Sequence, residues 1–168
     1  MSNQPLPSWQ NLSQQLIANH LVSGEMSAGS EIQLQVDQVL MQDALSTLTM
    51  QALEAMGIDE IAVALACQYV DHNLLQTDFR NHDDHLFLQS YCARLGIHYS
   101  GPGNGISHPT HQEYFSIPGK LLVGTDSHTP ANGSMGMLAI GVGSIEGASI
   151  LAGEPLSISM PEVMGIYV

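Results

Sequence analysis

Lysine and arginine are nearly missing from this sequence: Arg80, Arg94 and Lys120 face sixteen acidic residues, for a formal net charge of −13 with histidine neutral. Such a surface repels phosphate backbones and anionic lipids, which argues against nucleic acid and membranes as partners. It also argues against a self-contained pocket for a small polycarboxylate, whose charges need cations beside them. Cysteine is scarce too. Cys67 and Cys92 are too few and too far apart for a CxxC metal knuckle or a disulfide framework, and are expected to be buried small hydrophobes. No run approaches the roughly 18 apolar residues of a membrane helix, so a soluble protein is expected. The opening MSNQPLPSWQNLSQQ has neither a basic n-region nor an apolar h-region, and a cytoplasmic location is the resulting expectation. There is no GxGxxG between a strand and a helix, no GxSxG elbow and no GKT phosphate loop.

What is present suits one domain over residues 1–168, with 44% apolar residues to build a core. Residues 9–22 (WQNLSQQLIANHLV) place Trp9, Leu12, Leu16, Ile17 and Leu21 near one helical face behind Ser8 as N-cap. EIQLQVDQVLMQD opens with alternating Ile32, Leu34 and Val36, predicting a strand that runs on toward Gln42. A helix follows over 43–56, closed by Gly57. IAVALAC, 61–67, is apolar on both parities and reads as a strand covered on both faces. Asn81 is set to cap a helix with Asp83 and Asp84 in its first turn and Gly96 at its end.

Further on come a short strand near His98, a helix or turn in HPTHQEYF, a turn at Pro118-Gly119 and a buried strand over 121–124. A small-residue helix in GSIEGASILAG and late strands in LSISM and VMGIYV complete the pattern. Strands alternating with helices predict a three-layer α/β/α domain with a mostly parallel sheet. The chain stops at GIYV, still apolar, and is expected to be part of a larger multidomain enzyme.

In parallel sheets ligands bind beyond the C-terminal ends of the strands. Polar clusters fall there: Gln42-Asp43, Asp71-His72-Asn73, Asp126-Ser127-His128, and a loop bearing His108 and His111. A carboxylate beside an imidazole fixes its tautomer and makes an oriented proton donor. Neighbours on a strand point to opposite faces, so Asp71 and His72 can pair only where the strand has ended. HDDH at 82–85 offers ligand types for a divalent ion, and so a mononuclear metal hydrolase, but a helix sends His82 and Asp84 apart, and capping already explains its acids. Gly133, Gly136, Gly141 and Gly143 follow TDSHTP closely, a spacing that lets backbone or ligand approach.

YVDHNLLQ, SGPGNGISHPTHQE, PGKLLVGTDSHTP and GMLAIGVGS together resemble the N-terminal part of the aconitase superfamily: aconitate hydratase, homoaconitase and the isopropylmalate isomerase large subunit. The run from GIDEIAVALAC to SHPTHQ is most similar to shorter bacterial aconitate hydratases. The resemblance covers about residue 16 to 168 and implies the aconitase N-terminal α/β domain.

It also implies a lyase of the tricarboxylic acid cycle that interconverts citrate and isocitrate through cis-aconitate with a [4Fe-4S] cluster. By motif match, Asp71 and His72 would form the pair that protonates the leaving hydroxyl, and His108 would pair with Asp126 near the reacting water. His128 would orient water or hydroxyl, while Gln42, Asp126, Ser127 and His128 would contact substrate. Neither Cys67 nor Cys92 matches a cluster ligand, so no metal ligand is expected in this chain; the cysteines, the serine base and most substrate arginines belong to later segments of the family. The chain alone is therefore expected to be inactive and to need the remaining domains or a partner subunit. A non-catalytic interaction or regulatory module, and a fragment of a homoaconitase or isopropylmalate isomerase, are the other readings of the same residues.

Overall fold

The computed structural model describes residues 11–164. Its centre is a five-stranded, all-parallel sheet in the order β5-β4-β3-β6-β7, made of β3 (Gln38–Gln42), β4 (Leu65–Tyr69), β5 (His98–Ser100), β6 (Leu121–Gly124) and β7 (Leu138–Gly141). Parallel strands need crossovers: α2 (Asp43–Ala55), α3 (Arg80–Leu95) and α4 (Ser107–Tyr114) supply the first three and a 3-10 segment (Thr129–Met135) the last, while α5 (Ser144–Leu151) follows β7 and leads out of the sheet. Alternate residues of β3 face opposite layers. Val39 and Met41 join Met50, Leu53, Leu88, Cys92 and Leu151 in one core, whereas Leu40 joins Cys67, Tyr69, Leu122 and Met137 in the other. Each fully buried Leu or Ile of this kind stabilises the fold by about 1.5–3 kcal/mol. The expected three-layer α/β/α architecture is therefore present.

A second sheet is antiparallel, in the order β1-β2-β8, from β1 (Leu21–Gly24), β2 (Glu31–Leu34) and β8 (Leu156–Ser159). Its Ile32, Leu34 and Leu156 are buried against the larger core. The single strand expected from Ile32 to Gln42 is thus two strands in two sheets. The break lies at Asp37, whose carboxylate accepts the Leu121 N–H at 2.9 Å and Lys120 Nζ at 2.9 Å, tying the start of β3 to β6.

Other boundaries also shift. Helix α1 (Leu12–His20) begins behind Asn11, which forms a capping box with Gln14, and Leu21 and Val22 belong to β1. Ser8 and Trp9 lie outside the described residues. The strand expected at 61–67 is β4, four residues later, because buried Gln68 bonds Tyr69 O at 2.8 Å and sits in the strand despite its polarity. Asn81 does not cap α3; the helix starts one residue earlier and Asp78 accepts the Arg80 N–H at 2.9 Å. Gly96 ends it in the left-handed conformation, φ 70°. LSISM contains β8, whereas Val163 and Met164 of VMGIYV are not in a strand and its remainder lies outside the described residues.

The glycine-rich stretch is a 3-10 turn over Thr129–Met135 followed by β7, and its last glycine, Gly143, is the N-cap of α5. Close approach accounts for two glycines around this loop, Gly141 within the stretch and Gly124 before it, whereas Gly133 and Gly143 have open space. A Cβ on Gly141 would lie 2.7 Å from the carbonyl oxygen of Asp126, and one on Gly124 would lie 2.0 Å from Thr129 Oγ1.

Candidate active site

Three of the four polar clusters sit at the C-terminal ends of adjacent strands, as the fold class requires. β3 delivers Gln42 and Asp43, β4 delivers Asp71, His72 and Asn73, and β6 delivers Asp126, Ser127 and His128. Because β3 lies between β4 and β6, the two outer loops meet over its end.

β4 stops at Tyr69, so Asp71 and His72 are free of strand geometry and pair: His72 Nδ1 lies 2.6 Å from Asp71 Oδ1. A carboxylate oxygen accepts, so Nδ1 carries the hydrogen of this pair and Nε2 is left facing away from Asp71. That Nε2 stands 3.5 Å from Asp126 Oδ2. The other Asp126 oxygen accepts the His128 N–H at 2.6 Å and pairs with His108 Nε2 at 2.7 Å. Asn132 Nδ2 lies 3.2 Å from His108 Nδ1, which makes Nδ1 the acceptor and leaves the Nε2 hydrogen for Asp126. Burial alone would raise the Asp126 carboxyl, but the His128 N–H, the His108 hydrogen bond and the charges of both imidazoles outweigh it and hold it below its ordinary value.

The first turn of α4 touches both carboxylates. Ser107 donates its N–H to Asp71 Oδ2 at 2.7 Å, and the next residue is His108. Ser127 and His128 are exposed, with Ser127 Oγ 3.3 Å from His128 Nδ1 and the His128 side chain 80% accessible. A cleft of about 880 Å³ opens beside them, lined by Gln42, Thr125, Asp126, Ser127, Gly143 and Glu146 among others. Gln42 reaches that cleft, although its side-chain oxygen is committed to capping α2 through Ala44 N at 2.6 Å.

His111 does not join this group. It is fully buried, pairs through Nδ1 with the Tyr69 hydroxyl at 3.1 Å, and gives its Nε2 hydrogen to Gln38 Oε1 at 3.0 Å. Burial, then the neighbouring charge of His108, push its pKa down from 6.5 to about 4, so it is a neutral part of the scaffold. In HDDH, His85 turns inward to Asp43; among the described residues no metal-ligand group forms within 82–85.

The thiols do not suit an iron–sulfur cluster. Cys67 and Cys92 are buried on β4 and α3, and burial pushes both up to about 12, far from the thiolate a cluster needs. None of the three cations lines the cleft: Lys120 pairs with Asp37 at the opposite end of the sheet, Arg94 with Asp59, and Arg80 with Asp78 at 3.8 Å.

The model of the Aconitase family (aconitate hydratase) matches residues 14–168. The chain belongs to the aconitase family. Among curated relatives, the mitochondrial aconitate hydratase of Schizosaccharomyces pombe is 33% identical over 178 residues, covering 98% of this chain and 22% of the relative. The mitochondrial homocitrate dehydratase of Saccharomyces cerevisiae is 32% identical over 185 residues, covering 98% and 23%. The probable mitochondrial aconitate hydratase of Dictyostelium discoideum is 31% identical over 176 residues, covering 98% and 22%. The chain spans about a fifth of the length of these relatives. Their mitochondrial names describe those proteins and lend the cytoplasmic expectation no support.

Strand-end pattern and aconitase-family resemblance both point to Asp71, His72, His108, Asp126 and His128, and the fold brings all five together around Asp71 and Asp126. Neither gives a role to three residues that order this group: Asp43, His85 and Asn132. Asp43 is visible in a strand-end cluster and His85 in HDDH, but the partners of all three residues are not given by any local pattern.

Proposed function

We propose that this chain forms the acid–base wall of a hydro-lyase that interconverts citrate and isocitrate through cis-aconitate, and that residues 1–168 act as one domain joined to further domains or a partner subunit. The observation that supports it most is the run Asp71–His72–Asp126–His108, two carboxylates alternating with two imidazoles beyond the C-terminal ends of the central strands. Dehydration needs a proton delivered to the departing hydroxyl. His72 Nε2 is the delivering atom, with Asp71 holding Nδ1. Asp126 holds His108 and the backbone of His128, which leaves the exposed His128 imidazole to orient water or hydroxyl beside the cleft. Ser127 and Gln42 contact the substrate.

Aconitases use a [4Fe-4S] cluster, a Lewis acid for the hydroxyl; this chain's thiols do not hold it, so the cluster belongs to the rest of the enzyme. Cations for three substrate carboxylates have the same origin, because the chain's three basic residues pair with acids and none lines the cleft. The 33% and 32% relatives support the hydroxy-acid hydro-lyase class equally, and the choice of citrate over homocitrate is part of the proposal. A cytoplasmic location belongs to it as well, tested by fractionating cells that make the full-length protein.

The test is the rate at which full-length protein forms the unsaturated acid, followed by absorbance, from citrate, isocitrate and homocitrate. Citrate and isocitrate are expected to react, and His72→Ala and His128→Ala to abolish most of the rate. Activity untouched by either substitution overturns the site assignment.

A further inference from the structure

The loop that carries Asp71 and His72 belongs to no helix or strand, yet its backbone is pinned at three consecutive positions by one side chain. Asp43 Oδ1 accepts the N–H of Asp71 at 3.1 Å and of His72 at 2.9 Å; Oδ2 accepts the N–H of Asn73 at 2.9 Å. His85 Nε2, from α3, lies 2.9 Å from the same Oδ2. Gln76, farther along the loop, meets His85 Nδ1 at 3.2 Å, so the clamp grips the loop at both ends. Asp43 and His85 are buried, at 2% and 5% exposure.

Four N–H groups on one carboxylate describe an anion whose lone pairs are spent. Asp43, Asp71 and His72 offer ligand atoms within 4.8 Å of one another, a spacing that suits a metal ion, but these donors occupy the positions a cation would take. The carboxylate instead does for the loop what ladder hydrogen bonds do for a strand. Burial alone would raise the Asp43 carboxyl; the N–H groups of His72 and Asn73, the His85 side chain and the Asp71 N–H outweigh it and keep it ionised.

We propose that Asp43 is a positioning residue that sets the Asp71–His72 pair through the loop backbone, with His85 locking its carboxylate, and that neither touches substrate. This rests on the reading of His72 as the proton donor. An amide at position 43 turns an NH2 group toward two of the four donors in either orientation, so part of the loop is released. A displacement of about 1 Å at a reacting group lowers a rate on the order of 10²-fold.

The experiment compares Asp43→Asn, His85→Gln and His85→Leu in the full-length enzyme, reading kcat and KM together with the His72 Nδ1–H resonance under histidine-selective isotope labelling. Gln keeps an N–H near the His Nε2 position; Leu does not. The expected result is a kcat loss on the order of 10²-fold in Asp43→Asn with KM little changed, the Nδ1–H signal lost with it, and both retained in His85→Gln but not in His85→Leu. Full kcat in Asp43→Asn overturns the proposal, as does a kcat loss with the Nδ1–H signal intact. Should Asp43→Asn fail to fold, equal behaviour of His85→Gln and His85→Leu overturns it. A His72→Ala enzyme at full rate would sink the functional reading instead, and the Nδ1–H signal in the position 85 variants would still report whether the clamp holds the pair.

Discussion

Asp126 faces His72 across 3.5 Å with one carboxylate oxygen while the other is bound to His108 and to the His128 backbone. One carboxylate therefore links imidazoles from two loops that belong to different strands. Groups coupled through a shared partner do not contribute additively. Asp126→Asn and His72→Ala in the full-length enzyme are each expected to lower kcat on the order of 10²–10⁴-fold, and the double variant to lose much less than the product of the two. Steady-state rates over the four enzymes of this cycle check it; multiplicative losses would show that the loops act independently.

Stability is expected to decline with acid in two stages. His111 is held neutral in the fold with a pKa of about 4, against 6.5 as the ordinary value. The unfolded chain therefore binds the proton first. The His111 contribution is complete above pH 6.5 and is lost as pH falls toward about 4, a change of roughly 3 kcal/mol. Asp37, Asp43 and Asp126 are held below 3.8, so their contribution persists above that value and disappears below it as they protonate. Urea denaturation at stepped pH should show both stages, and His111→Gln, which does not titrate, should remove the upper one.

Gly124 and Gly141 are expected to resist even alanine. A methyl group at either position meets Thr129 or the Asp126 backbone at well under contact distance. Overpacking of this kind costs about 1–3 kcal/mol, and here the strain falls on the loop that carries Asp126. Denaturant midpoints of Gly124→Ala and Gly141→Ala should drop, and the full-length variants should lose kcat as well. A midpoint drop without a rate loss would show that the loop keeps its geometry.

The two thiols should be silent. Cys67→Ala with Cys92→Ala in the full-length protein is expected to leave its iron content unchanged while lowering stability by cavity formation, about 1 kcal/mol or more per site. Iron analysis beside thermal denaturation separates the outcomes; lost iron would make one of them a ligand.

The part of this site that is legible in the sequence consists of contiguous residues. Asp71-His72 and Asp126-Ser127-His128 are each adjacent in the chain and follow apolar runs, so pattern and position both point at them. Asp43 is visible as a strand-end residue, but nothing local says that its partners are Asn73 and His85. Asn132 sets the His108 tautomer from the far side of a 3-10 turn that has no periodicity to read. Among the strands, β7 escapes notice because four residues between glycines carry too little alternation. β4 reads early because a buried glutamine looks like an end. The split between β2 and β3 is set by Asp37 meeting residues 120 and 121, a contact that no window along the chain contains.

The place of β3 between β4 and β6 also dictates when the site can exist. The hairpin of a meander closes within a few residues, but here His72 meets Asp126 only after β6 has docked on the far side of β3 from β4. Contacts of such long sequence separation form late, since the closure entropy precedes the reward. A nascent chain that has emerged only as far as Ile117 can hold Asp71 and His72 together, yet their second carboxylate is still missing. The carboxylate–imidazole axis thus waits for the docking of β6, before β7 and β8 complete the two sheets.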